Sequence, residues 1–168
     1  MILGVVSPSL FSEKFKYFIE DLYGEDVIVE LNLRNVSEFS KVSVISLIDL
    51  SDYLDPLEIQ IVRIPNFEHL IKLEFRESIE KAILIADELD AELLITSCFP
   101  SNLQKFKDIL AEIYSELIEY RKTICFEPKT INTATLKLII EFMEFLEREY
   151  SPSPFALSYD MKASLNRP

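Results

Sequence analysis

Apolar positions along this chain follow two spacings: short runs that suit buried strands, and stretches repeating every three to four residues that suit helices. Ile2 to Ser7 predicts an opening strand. Pro8-Ser9 then turns the chain into a helix from about Ser12 to Tyr23, with Phe11, Phe15, Phe18, Ile19 and Leu22 on one face and Gly24 as its C-terminal cap. Val27 to Leu31 reads as a second strand. After a short helical or irregular link over 35–41, Val42 to Leu50 and Ile59 to Ile64 are two further β-rich runs. The segment between them, Ser51 to Glu58, is too short for a parallel crossover of about a dozen residues. These two runs are therefore expected to pair antiparallel, or one of them to lie outside the main sheet.

Phe67 to Leu89 has the pattern of one long helix, with Phe75, Ile79, Ala82, Ile83, Ala86 and Leu89 on one face, and Leu93 to Ser97 follows as a strand. Ser101-Asn102-Leu103-Gln104 has the form of a capping box and predicts a helix reaching about Tyr120. Thr123-Ile124-Cys125-Phe126 is a strand core closed by Glu127-Pro128-Lys129. Thr133 to Glu149 is helical, with apolar residues over half its circumference or more, wider than one sheet contact needs. Part of that face is expected to meet a second subunit. Phe155 to Asp160 is the last predicted strand. Strands alternating with helices over residues 1–168 define a single α/β domain with a mainly parallel sheet, in which sites form at the C-terminal ends of the strands.

Composition narrows the partners. No apolar run approaches the roughly 20 residues of a membrane helix, and the opening strand lacks the flanks of a signal segment, so a cytoplasmic protein without a membrane partner is expected. With 29 acids against 17 bases, the net charge of −12 repels nucleic acid. Heavy use of Ile, Glu and Lys, with Gln60 and Gln104 the only glutamines, leans toward a heat-adapted organism. Cys98 and Cys125 read as buried thiols, bridged only if their strands are neighbours. Two glycines, Gly4 and Gly24, cannot build a glycine-rich phosphate loop, so no nucleotide cofactor is expected. His69 is the sole histidine and reads as a surface or capping residue, which rules out a multi-histidine zinc site.

The chemistry left is carried by acids and bases at strand tips. Glu127 and Asp160 could hold a divalent ion such as manganese or magnesium, or divide into acid and base. Equally, they could pair with Lys129 and Lys162, two residues beyond each, or with other bases. Glu30, flanked by apolar strand residues, needs a partner if buried, and Arg63 is the candidate.

Several segments resemble the xylose isomerase-like TIM barrels, which include sugar-phosphate isomerases and epimerases and the endonuclease IV type of nuclease. Val27-Ile28-Val29-Glu30-Leu31 is similar to their second-strand acid motif. Arg76 to Ala82, continuing from Ala86 to Ile95, is similar to their long helix leading to a strand, with Leu89-Asp90-Ala91 where leucine-glycine-alanine is usual. Cys125-Phe126-Glu127-Pro128 and Ala156-Leu157-Ser158-Tyr159-Asp160 resemble the strands that carry a metal-binding glutamate and aspartate. Ala163 stands where the family has a histidine, and Ser97-Cys98 where another often occurs. A complete barrel runs to about 250 residues, so the resemblance implies an incomplete or irregular TIM barrel that has lost most of its metal ligands; an open doubly wound sheet is the alternative. If active, it implies a metal-assisted isomerase or epimerase of a small sugar or sugar phosphate. Glu127 and Asp160 would hold the ion, Glu30 or Lys162 would move a proton, and Arg63 or Lys129 would grip an anionic group of the small-molecule ligand. If inactive, it implies a non-catalytic binding or assembly module, with open edges covered by its own tail or by a partner that supplies the missing strands.

Overall fold

The computed structural model describes residues 3–22, 25, 27–43, 54, 57–129 and 131–158, without the side chains of Leu3 and Asn102. Six strands, β1 (Leu3–Val6), β2 (Val27–Asn32), β3 (Glu58–Arg63), β4 (Leu93–Cys98), β5 (Thr123–Pro128) and β6 (Phe155–Leu157), form one sheet in chain order, every neighbouring pair parallel. Between them lie α1 (Glu13–Leu22), α2 (Val36–Lys41), α3 (Phe67–Lys72), α4 (Phe75–Glu88), α5 (Leu103–Glu119) and α6 (Thr133–Glu149). Strictly sequential parallel order is how a TIM barrel is wound, whereas a doubly wound sheet reverses direction at a switch point. The α/β class and mainly parallel sheet predicted by periodicity are thus present, and among the described residues the sheet ends at β1 and β6 without closing.

One side of the sheet carries the core. Val29 and Leu31, Ile59 and Val62, Leu94, Ile124 and Phe126, and Phe155 pack against the helices, and nearly all are fully buried. Phe126 lies at the centre, its ring 5.4 Å from Phe67, 5.9 Å from Phe106 and 5.6 Å from Phe142. Aromatic rings at such separations add to their area burial. Three helices thereby meet on one strand residue.

The register between β2 and β3 contains a shift that decides what the other side presents. Val29 pairs with Ile59 but Glu30 pairs with Ile61, so Gln60 is an extra residue with no partner across the ladder. The shift keeps both Ile59 and Val62 on the helix side and turns Ile61 and Arg63 to the inner, concave side. The inner side thus carries Val6, Glu30, Asn32, Ile61, Arg63, Ile95, Ser97, Cys125, Glu127 and Ala156, linked through the cross-strand register.

Other expectations are adjusted. Of the two runs, the one from Ile59 lies in the main sheet and pairs parallel with β2; how the other pairs falls outside the described residues. Val42 and Ser43 belong to no strand, and 44–50 lie outside the described residues, as do Gly24 and 159–160. The helix predicted over 67–89 is two, broken at Leu73-Glu74. Glu74 takes the left-handed conformation with φ 62°, and the Ser78 hydroxyl donates to the Leu73 carbonyl at 3.1 Å. No glycine or proline marks that break. The capping box expected at Ser101 is replaced by a 3-10 turn over Pro100–Asn102, and the Phe99 amide before it donates to the Glu68 carboxylate at 2.8 Å. A capping box does open α6, where Asn132 accepts from the amides of Ala134 and Thr135, and Thr135 accepts from that of Asn132. Both cysteines are free. Their strands are neighbours, but Cys98 faces the helices and Cys125 the inner side, so no bridge forms. His69 is exposed on α3, as expected of a surface residue.

Candidate functional site

At the C-terminal ends of β2, β3 and β5, three charged side chains converge on the inner side. Parallel register sets them in place: Glu30 sits two pairs before Asn32, which pairs with Arg63, and Ser97 on β4 pairs with Glu127. Arg63 reaches across β4 to join the two acids. Its Nε and Nη2 donate to the two carboxylate oxygens of Glu30 at 2.5 and 3.0 Å, and its Nη1 donates to Glu127 Oε2 at 2.7 Å. Ser97 Oγ donates to the same Glu127 oxygen at 3.3 Å. Arg34, one turn beyond β2, brings Nη2 within 3.8 Å of Glu30 and keeps 53% of its side chain exposed. The side chains of Arg63, Glu30 and Glu127 are only 8, 11 and 18% exposed.

Burial pulls the Arg63 pKa down, but the hydrogen bonds and charge of Glu30, and then of Glu127, outweigh it and raise it. The guanidinium is therefore charged at any working pH. A two-pronged Arg–carboxylate bond fixes both groups geometrically as well as electrically, and a buried ion pair is tolerable only when its remaining polar atoms are also satisfied. Here they largely are.

The rim is built differently. Phe99, 45% exposed, follows β4, and Lys129, which follows β5, holds Nζ 4.4 Å from its ring centroid. The Lys129 amide donates to the Cys98 carbonyl at 2.9 Å, which fixes the turn. Burial, reinforced by the charge of Glu68, pushes the Cys98 thiol up to about 12, so it is no nucleophile.

Of the residues predicted for the site, Glu30, Arg63 and Glu127 come together. Lys129 stands apart on Phe99 and is not the partner of Glu127. Asp160 and Lys162 lie outside the described residues. Sequence reasoning did not single out Arg34 or Phe99 for the site; an aromatic directly after a strand, before Pro100, was the available signal for the latter.

The resemblance implies a divalent ion on Glu127 and Asp160, and Asp160 lies outside the described residues; between Glu30 and Glu127 the position is taken by the Arg63 guanidinium. Both oxygens of Glu30 and one of Glu127 already accept from Arg63. A divalent ion about 4 Å from a guanidinium would meet about 8 kcal/mol of repulsion at an effective dielectric of 20. That offsets the attraction of one of the two carboxylates at the same distance, so an ion there would compete with the guanidinium rather than join it. Among the described residues no three His, Cys, Asp or Glu side chains gather as a metal site, and no helix is long and apolar enough to cross a membrane.

The sequential parallel sheet, its C-terminal polar tips and the helices on one side define an α/β fold of the TIM-barrel type whose sheet does not close among the described residues. The particular likeness is to the crystal structure of a D-tagatose 3-epimerase-like protein, with a TM-score of 0.61 and 18% identity over 98% of this chain. The chain spans 66% of that protein's length. No protein-family model matches the sequence, and no curated protein does.

Proposed function

We propose that this protein is a non-catalytic binding or assembly module on an epimerase-like barrel scaffold. The observation that supports this most is the engagement of Glu30 and Glu127 by Arg63. A carboxylate that is to take a proton from a sugar carbon needs a free oxygen facing the substrate, and Glu30 offers both of its oxygens to the guanidinium. Other groups at the same end suit recognition instead: the exposed Phe99 ring for stacking, with the half-buried Lys129 and the exposed Arg34 for an anionic group. The strands β1 and β6, each paired on one side only among the described residues, suit assembly with a partner strand.

The competing reading is a metal-assisted isomerase or epimerase in which Glu127 and Asp160 hold manganese or magnesium. Deuterium incorporation separates the two. Epimerisation at a carbon exchanges its hydrogen with solvent, so D-tagatose and related ketoses are incubated in deuterated water, with and without each metal, and followed by proton NMR. The expected result is no exchange above the protein-free control. Exchange that disappears in Glu30→Gln would overturn the non-catalytic reading.

A further inference from the structure

We infer that Arg63 is a built-in cation that joins the tips of β2, β3 and β5 and fills the position between Glu30 and Glu127 that an added cation would otherwise occupy. The guanidinium lies between two inward acids from different strands, bound to both at 2.5 to 3.0 Å. Its position depends on the register shift at Gln60, which turns Arg63 inward while Ile59 and Val62 stay in the core. With Arg34 at 3.8 Å the group holds two acids and two arginines, so its charge is balanced without any added ion. Unlike a metal, a guanidinium supplies fixed N–H donors and cannot leave, exchange or polarise a substrate oxygen as a Lewis acid. The space between Glu30 and Glu127 is thereby held shut to cations for as long as Arg63 is present.

Removing Arg63 leaves the largely buried Glu127 without a charged partner and Glu30 with only the exposed Arg34, 3.8 Å away. Arg63→Met is expected to lower the unfolding midpoint by roughly 10 °C, and manganese or magnesium, by taking the vacated position, to restore part of the loss saturably. The test is thermal unfolding of wild type, Arg63→Met and Arg63→Met/Glu127→Gln over a titration of each metal. Wild type should not move, the single variant should rise, and the double variant should not. A folded Arg63→Met that gains nothing from either metal would overturn the inference. So would a saturable rise in wild type that Glu127→Gln abolishes. Should Arg63→Met not fold, the free manganese signal in electron paramagnetic resonance is read with wild type: an undiminished signal supports the inference, and a signal lowered by wild type but not by Glu127→Gln overturns it. The inference rests on the same ion triad as the non-catalytic reading, yet the two fail separately. Metal-free deuterium exchange would end that reading and leave the role of Arg63 intact.

Discussion

The two sides of the sheet are built to different standards. Toward the helices, Phe126, Phe67, Phe106 and Phe142 interlock with essentially no exposure. On the concave side, Ile95 and Cys125 are buried, Ile61 and Ala156 are half-buried and Val6 is 53% exposed. A closed barrel fills its interior with layered side chains. This sheet concentrates its cohesion on the outer layer and, inside, relies on one ion triad at the strand tips. The outer layer therefore carries the fold, and the inner side is free to carry something else.

Truncation tests that contrast most strongly. Phe126→Ala is expected to lose about 3–5 kcal/mol in denaturant unfolding, whereas Ile61→Ala on the concave side should lose under about 2 kcal/mol. Equal losses would mean the interior is packed after all. On α6 the same contrast recurs within one helix. Phe142 faces the core at 1% exposure, not outward as an interface residue would, while Leu136 and Ile140 are 46 and 49% exposed. These outward residues line an open groove of about 430 Å³ with Thr133, Lys137, Glu141 and Glu144. Phe142→Glu should unfold the protein through a buried charge, whereas Ile140→Glu should change stability by no more than about 0.5 kcal/mol. If the proposed homo-oligomer forms through this helix, Ile140→Glu also delays elution in size-exclusion chromatography; an unchanged elution removes that interface.

A pH titration isolates a single outer-face group. The Cys98 pKa is raised from 9.0 to about 12 when folded. Its contribution is therefore complete below pH 9 and is lost as pH climbs toward 12, because the unfolded chain releases the proton first. Above pH 9 stability should decline more steeply in wild type than in Cys98→Ala; parallel curves would mean that the thiol is not held protonated.

Small gains rather than losses are expected at the helix ends away from both faces. Asp90 and Arg121 take left-handed conformations, with φ of 53° and 54°, directly after α4 and α5. An L side chain is strained there, so Arg121→Gly should raise stability by up to about 1 kcal/mol and Asp90→Gly by less, since aspartate tolerates this conformation better. A loss in either would mean that its side chain stabilises the turn by more than the strain costs.

The same division governs what could be read from residues alone. Helix-facing positions repeat with the period of their element, so the strands and the major helices, including Thr133 to Glu149, are legible within a few residues. The glycine slot at Leu89-Asp90-Ala91 is also visible, and the left-handed Asp90 gives its physical reason. The triad is legible only in part. Glu30 demands a base and Arg63 is the nearest choice, but strict alternation puts Ile59, Ile61 and Arg63 on one face, against the observed split. Glu127 shows the same limit, because its partner comes from two strands away while sequence adjacency points to Lys129. The cap expected near Phe99 fails for a related reason: the group that satisfies its amide, Glu68, belongs to a preceding helix. Local propensity carries no information about such long-range partners.

The extra residue Gln60 has a consequence for lineage. Because β3 holds one residue more than its ladder uses, a homologue with a regular strand aligns correctly only if a gap is opened inside the strand, where alignment methods penalise gaps most. Without that gap, every position on one side of Gln60 is matched to a residue of the opposite face, and the inward Arg63 is compared with a core aliphatic. Kinship among such chains is then better traced through the fold than through the letters.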